Sequence, residues 1–214
     1  MIKICDLPSP EVEWPTSAGK LRIRCGCNPD EIRGYTFDPQ FGTYAQFRSL
    51  YTKRETLEKI AEHEGTNVVL ALTETDHIIG FGVLDYPEPN ERWTRLGPKR
   101  MMEVKAIEVC RSWRATHIAK GILGMLLNHP LLEKMIVYMV GYSWTWDLDG
   151  TGKTAQEYRN ILLRLFSYHG FVEMQTNEPN ICLKPENLFM ARVGKKLSDD
   201  ISQQFKWLRF GVNP

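Results

Sequence analysis

The chain has 214 residues, with 27 Lys and Arg against 26 Asp and Glu and a formal net charge of +1. A chain of this length can bury roughly 70% of its unfolded surface in a proper core, and the near-neutral balance excludes nucleic acid or an anionic membrane surface as the main partner. The five cysteines, Cys5, Cys25, Cys27, Cys110 and Cys182, form neither a C-x-x-C pair nor a zinc spacing, which points to reduced thiols in a cytoplasmic protein with no metal.

In chain order, residues 1–18 hold Pro8, Pro10 and Pro15 and little periodicity, so they read as an N-terminal arm; acids and prolines stand where a secretory signal needs an apolar run. The alternation KLRIR, Lys20 to Arg24, predicts a half-buried strand, and Asn28, Pro29 and Asp30 a turn and helix start. Gly34 to Tyr44 reads as an ordered aromatic loop. Leu50, Leu57, Ile60 and Ala61 fall at helical spacing before Gly65. Asn67–Thr73 and His77–Leu84 then form a hairpin around Glu74, Thr75 and Asp76.

Val104 to Leu127, VKAIEVCRSWRATHIAKGILGMLL, reads as a strand to Val109, a basic turn with Arg111 and Arg114, and a helix with Ile118, Ile122, Leu123, Leu126 and Leu127 on its apolar positions. No acid stands in the first turns of that helix, so its unsatisfied N–H groups face a basic loop, an arrangement suited to an anion. Solvated arginines in an ordinary strand–turn–helix unit give the same pattern. His129 and Pro130 stop the helix; with Glu133 and Lys134 they break the apolar region short of the ~20 residues a bilayer span needs. A strand over Met135–Tyr142 follows, then YSWTWDLDG, a helix from Thr154 to Tyr168, strands over Phe171–Gln175 and Asn187–Val193, and an amphipathic tail from Ser198. The order predicts an α/β fold, a mixed sheet with helices against its faces.

The run Arg114, Ala115, Thr116, His117, Ile118, Ala119 resembles the coenzyme A motif of the GNAT superfamily of N-acetyltransferases: Arg or Gln, two residues, Gly, one residue, then Gly or Ala. His117 stands where Gly is usual. YPEPNERW, AIEV, YSWTWDLDG, Glu157 to Arg159, NEPNI, NLFMARVGKKLS and QQFKWLRF extend the resemblance over nearly the whole chain, to the acetoin-utilisation protein acetyltransferases. The resemblance implies a GNAT fold over 19–197, a mixed, mostly antiparallel sheet with splayed central parallel strands flanked by helices, and a separate tail over 198–214. It implies acetyl-CoA as cosubstrate and a protein lysine as acceptor, with acetyl-CoA synthetase as the expected partner and regulatory inactivation as the outcome. On the same grounds the backbone of residues 114–119, with Ile107 and Val109, would hold the cofactor, the N–H of Val109 facing the thioester oxygen; Arg159 reads either as a further cofactor contact or as a salt-bridged surface residue. Phe166 stands where many members carry a Tyr that protonates the departing thiolate, and Phe has no proton to give. The alternatives are a GNAT enzyme acting on a small amine or polyamine, and an acyl-CoA-binding regulatory module with little catalysis.

Acetylating a lysine requires removal of a proton from an amine of reference pKa about 10.4, a donor at the thioester oxygen, and rigid positioning. Glu103 and Glu108 flank the relevant strand and, being an odd number apart, point to opposite faces unless a bulge intervenes. Glu108 is favoured as base, with Ile107 and Val109 as core positions beside it; Glu103 is second. Trp144 and Trp146 alternate along an apparently extended segment and share a face, as core or as a channel wall, with Asp147 available to meet a cationic lysine segment. Cys110, His63 and His169 read as packing, solvated or capping groups.

Overall fold

The computed structural model describes residues 11–17, 19–43 and 51–212. Its strands and helices are β1 (Glu11–Thr16), β2 (Gly19–Arg24), α1 (Pro29–Gly34), β3 (Thr36–Phe37), α2 (Gln40–Thr43), α3 (Arg54–Ala61), β4 (Asn67–Thr73), β5 (His77–Asp85), β6 (Met101–Val109), α4 (Ile118–Leu127), β7 (Ile136–Gly141), α5 (Leu148–Thr151), α6 (Ala155–Tyr168), β8 (Val172–Glu173), α7 (Pro179–Cys182), β9 (Leu188–Val193) and α8 (Asp199–Leu208). Two compact units result, one built from the described residues up to Asp85 with Lys105–His129, the other from Tyr86–Val104 and the described residues from Pro130 onward.

In the first unit the strand order is β1-β2-β4-β5 and then the second half of β6, with β3 beside β5. β1, β2, β4 and β5 pair antiparallel, and β3 runs parallel to β5. Residues 11–16, read from the sequence as part of an arm, are drawn into this sheet because Trp14 sits opposite Leu21 and Val12 opposite Ile23. Asn28 starts α1 with a capping box, accepting from the Glu31 N–H while Glu31 accepts from its own N–H, as the turn chemistry predicted. One sheet face buries Leu70, Leu72, Ile78, Phe81 and Val83 with Ile32 of α1 and Leu57 of α3. α4 lies on β5 at a distance only glycine permits: a Cβ on Gly82 would fall 2.5 Å from Ile122 Cγ2 and 2.8 Å from Leu126 Cδ1. The stretch expected to be a loop, as far as Thr43, holds β3 and α2, whose Phe37 and Phe41 pack on Phe81. Tyr44 and Leu50 lie outside the described residues.

In the second unit the order is the first half of β6, then β7, β9 and β8. β6 and β7 are parallel over three rungs, ending at Glu103 beside Tyr138, while β7–β9 and β8–β9 are antiparallel. The core here is aromatic: Trp93 stacks on Phe189 with centroids 4.8 Å apart and meets Tyr138 and Phe205 at an angle. The amphipathic tail becomes α8, capped by Ser198, and buries Phe205 and Leu208 in this core while Trp207 and Phe210 remain exposed. α6 begins at the predicted Thr154, in a capping box with Glu157. No helix among the described residues is long and apolar enough to cross a membrane.

Candidate active site

The turn between β6 and α4 is held at both ends. Cys110 donates its N–H to the Ile79 carbonyl at 2.9 Å, and the Arg114 guanidinium reaches back to the Val109 carbonyl at 3.3 Å. Gln40 of α2 clasps Ser112, donating to its hydroxyl at 2.9 Å and accepting from its N–H at 3.3 Å. Between these anchors Ala115 and His117 take left-handed conformations, φ 63° and 62°. The backbone therefore adopts at His117 the geometry that makes Gly usual in such a motif, at a cost of roughly 1–2 kcal/mol. His117 caps α4 without a side-chain hydrogen bond. The N–H groups of residues 115–119 have no acceptor among the described residues; the next two, Lys120 and Gly121, donate to the His117 carbonyl. Five successive donors in a turn with two left-handed residues, at the positive end of a ten-residue helix, form a nest for a polyanion.

Along β6 the buried side chains are Met101, Met102, Val104 and Ala106, while Glu103, Lys105, Ile107, Glu108 and Val109 are half-buried. Ile107 and Val109, expected as core positions, are half-buried, as Glu108 is.

Cys110 is buried, and its thiol is pushed up to about 12 by burial and by the neighbouring carboxylate of Asp38. Burial and a raised pKa suit Cys110 to packing rather than to nucleophilic attack. Iodoacetamide applied to the native protein is expected to alkylate exposed Cys182 well before buried Cys25, Cys27 or Cys110, read by peptide mass spectrometry; early labelling of Cys110 would contradict its inertness.

Tyr138, fully buried on β7, donates to Glu91 Oε2 at 2.9 Å and stands opposite Glu103 at the last rung of the parallel ladder. Burial first, then the charges of Glu103 and Glu91, hold its phenol protonated far above the usual range. Tyr142 is raised in the same way, by burial and by Glu178, Glu103 and Glu91. Glu178 is paired with Arg92 at 3.3 Å. Sequence reasoning missed Glu91 and Tyr138: the first lies in a proline-rich block, the second in a strand that reads as plain core.

The residues between β7 and α6 correct another expectation. Ser143–Thr145 is a 3-10 turn rather than an extended segment, so Trp144 and Trp146 do not share a face. Trp144 is 37% exposed and stacks on Tyr142, with Lys184 Nζ 4.8 Å from its ring centroid. Trp146 is buried and stacks on Tyr158. Asp147 caps α5, accepting from the Gly150 N–H at 3.0 Å. Arg159 is ion-paired with Glu173. Phe166 is buried edge-to-face on Phe171, while Tyr168 is 66% exposed. His63 meets buried Asp85 at 3.1 Å, and His169 ends α6. No group of three or more His, Cys, Asp or Glu suited to a metal ion occurs among the described residues.

The acetoin utilization protein AcuA of Bacillus licheniformis is 32% identical over 199 residues, 92% of this chain and 92% of that protein. The chain belongs to the family of the acetoin utilization protein AcuA. AcuA of Bacillus subtilis strain 168 is 33% identical over 91% of each chain. The crystal structure of an acetoin utilization protein from Exiguobacterium sibiricum 255-15 superposes with a TM-score of 0.86 at 30% identity, covering 94% of this chain and 93% of that one. No family model matches the chain.

Proposed function

We propose that this AcuA-family protein transfers acetyl from acetyl-CoA to the ε-amine of a protein lysine, with acetyl-CoA synthetase as the substrate. The observation that carries the reading is the row of N–H donors at residues 115–119 with no acceptor among the described residues. They would bind the pyrophosphate, with Arg114, Ala115, Thr116, His117, Ile118 and Ala119 forming the cradle and no metal required. The backbone of Ile107 and Val109 would lie along the thioester arm, and the Val109 N–H would steady the oxygen that gains charge. A carboxylate of β6, Glu108 or Glu103, would take the amine's proton. Trp144 would offer an aromatic surface to the incoming segment, a role to which its exposure is suited. Trp146 and Asp147 would shape the same region through the stack and cap described above, while Arg159, paired with Glu173, would serve the cofactor. Acetylation would remove the target lysine's charge and so regulate the synthetase.

Incubating the purified chain with acetyl-CoA and acetyl-CoA synthetase is expected to add an acetyl mass to one synthetase lysine, and its absence would sink the reading. One observation favours a second reading: the gathering of Glu91, Glu103 and Glu178 near Tyr142 suits a small cationic amine. Faster release of coenzyme A with spermidine than with the synthetase would decide for that alternative.

A further inference from the structure

We infer that Tyr138 and Glu91 are positioning residues for Glu103, forming with it a relay that receives the proton lost by the acceptor amine. The inference rests on acetyl transfer to an amine, and on Glu103 rather than Glu108 acting as the base.

Three observations converge. The parallel ladder between β6 and β7 ends at the rung that sets Glu103 beside Tyr138. The Tyr138 hydroxyl, fully buried among Trp93, Phe189 and Phe205, donates to Glu91 Oε2 at 2.9 Å. Burial, with the charges of Glu103 and Glu91 added to it, holds that hydroxyl protonated. A phenol has one hydrogen, and an ionised carboxylate can only accept. With that hydrogen committed to Glu91, Tyr138 presents a lone pair to Glu103, and a second bond is complete when Glu103 carries a proton. The charge of Glu91 acts in the same direction.

The groups around the hydroxyl are few. Glu91 caps the 3-10 turn Arg92–Leu96, Glu103 comes from β6, and Tyr142 follows β7. Glu178, before α7, is paired with Arg92. From β9 and α8 the neighbours are apolar, Phe189, Ala191, Phe205 and Leu208, with the Arg209 guanidinium over the outer part of Phe205. Burial keeps the Tyr138 phenol from ionising, so it conducts a proton without becoming a phenolate.

The step balances. An N–H bond of the ammonium breaks as an O–H bond forms on Glu103. That new hydroxyl then donates to the Tyr138 oxygen, and a concerted shift passes the Tyr138 hydrogen to Glu91 while Tyr138 takes the hydrogen of Glu103. Glu103 is left ionised, Tyr138 is restored, and the proton rests on Glu91.

The test compares wild type with Tyr138→Phe, Glu91→Gln, Glu103→Gln and Glu108→Gln, measuring kcat/KM across pH with acetyl-CoA and acetyl-CoA synthetase, and thermal melting. Glu103→Gln should lose about a hundredfold or more in turnover. Tyr138→Phe, which keeps the ring, should melt within a few degrees of wild type, and its acid limb should move about half a pH unit or more toward lower pH, because protonated Glu103 loses its acceptor. Glu91→Gln should move the limb the same way. A role in packing alone leaves the limb in place, so an unmoved limb in Tyr138→Phe and Glu91→Gln overturns the relay while leaving Glu103 as base. Full turnover by Glu103→Gln with loss in Glu108→Gln also overturns the relay and leaves acetyl transfer standing. If the wild type acetylates no synthetase lysine, the reading of the substrate fails, and difference infrared titration of the full chain decides the relay. A carboxylic acid band lost in Glu103→Gln and moved to lower pH in Tyr138→Phe supports it, and a band indifferent to Tyr138 overturns it.

Discussion

Replacing Ala119 by Glu is expected to weaken acetyl-CoA binding on the order of a thousandfold without lowering the melting temperature. Ala119 is the second residue of α4 and carries one of the five N–H groups assigned to the pyrophosphate. A carboxylate in the first turn of a helix is stabilising by about 0.3–1 kcal/mol, since it meets the positive end of the dipole. The same carboxylate beside a bound pyrophosphate is a like charge in contact, which costs several kcal/mol. Stability and binding should therefore move in opposite directions, a separation that general damage to the fold would not produce. Calorimetric titration with acetyl-CoA alongside a thermal melt reads both, and an unchanged dissociation constant would remove the cradle from the N-terminus of α4.

Gly194→Ala is expected to destabilise the second unit by about 3 kcal/mol. A Cβ there would lie 2.5 Å from the carbonyl carbon and oxygen of Glu133 and from the Leu132 carbonyl oxygen. All three are backbone atoms, so no side chain can swing aside. The backbone that would have to move is also tied in place: Gly194 donates to the Met135 carbonyl at 2.9 Å, and Lys196 to the Glu133 carbonyl at 2.7 Å. The Glu133 side chain accepts from the Lys195 N–H at 3.0 Å and pairs with Arg192. Urea unfolding would measure the loss, and a midpoint equal to wild type would show that the turn after β9 yields more easily than its bonds imply.

The elements of regular period were legible in the sequence. The KLRIR strand, the hairpin of β4 and β5, the Thr154 start of α6 and the apolar stripe of α8 all appear where alternation, capping residues and 3.6-residue spacing placed them. The basic turn before α4 was legible for the same reason, since backbone donors at a helix start follow from the chain order alone. The Trp144–Trp146 segment was misread because two-residue spacing fits both a strand and the ends of a 3-10 turn, and only the backbone dihedrals separate them. Ile107 and Val109 are apolar enough for the core, yet both stay half-buried. What buries a β6 side chain is what packs against it, and there the cluster takes in Ala106.

By itself, then, the sequence determined the elements of regular period, the family, and a basic turn at a helix start whose N–H groups suit an anion. These follow from local periodicity, capping and chain direction. Tertiary structure alone decided that β6 is shared between two compact units and that its ladder with β7 stops at Glu103. Tertiary structure also decided that a buried phenol from one strand stands between carboxylates from two other segments. Glu91, Glu103 and Tyr138 lie far apart along the chain and carry no common local pattern. Strand register and burial make neighbours of them, and those depend on the whole fold rather than on any stretch of it.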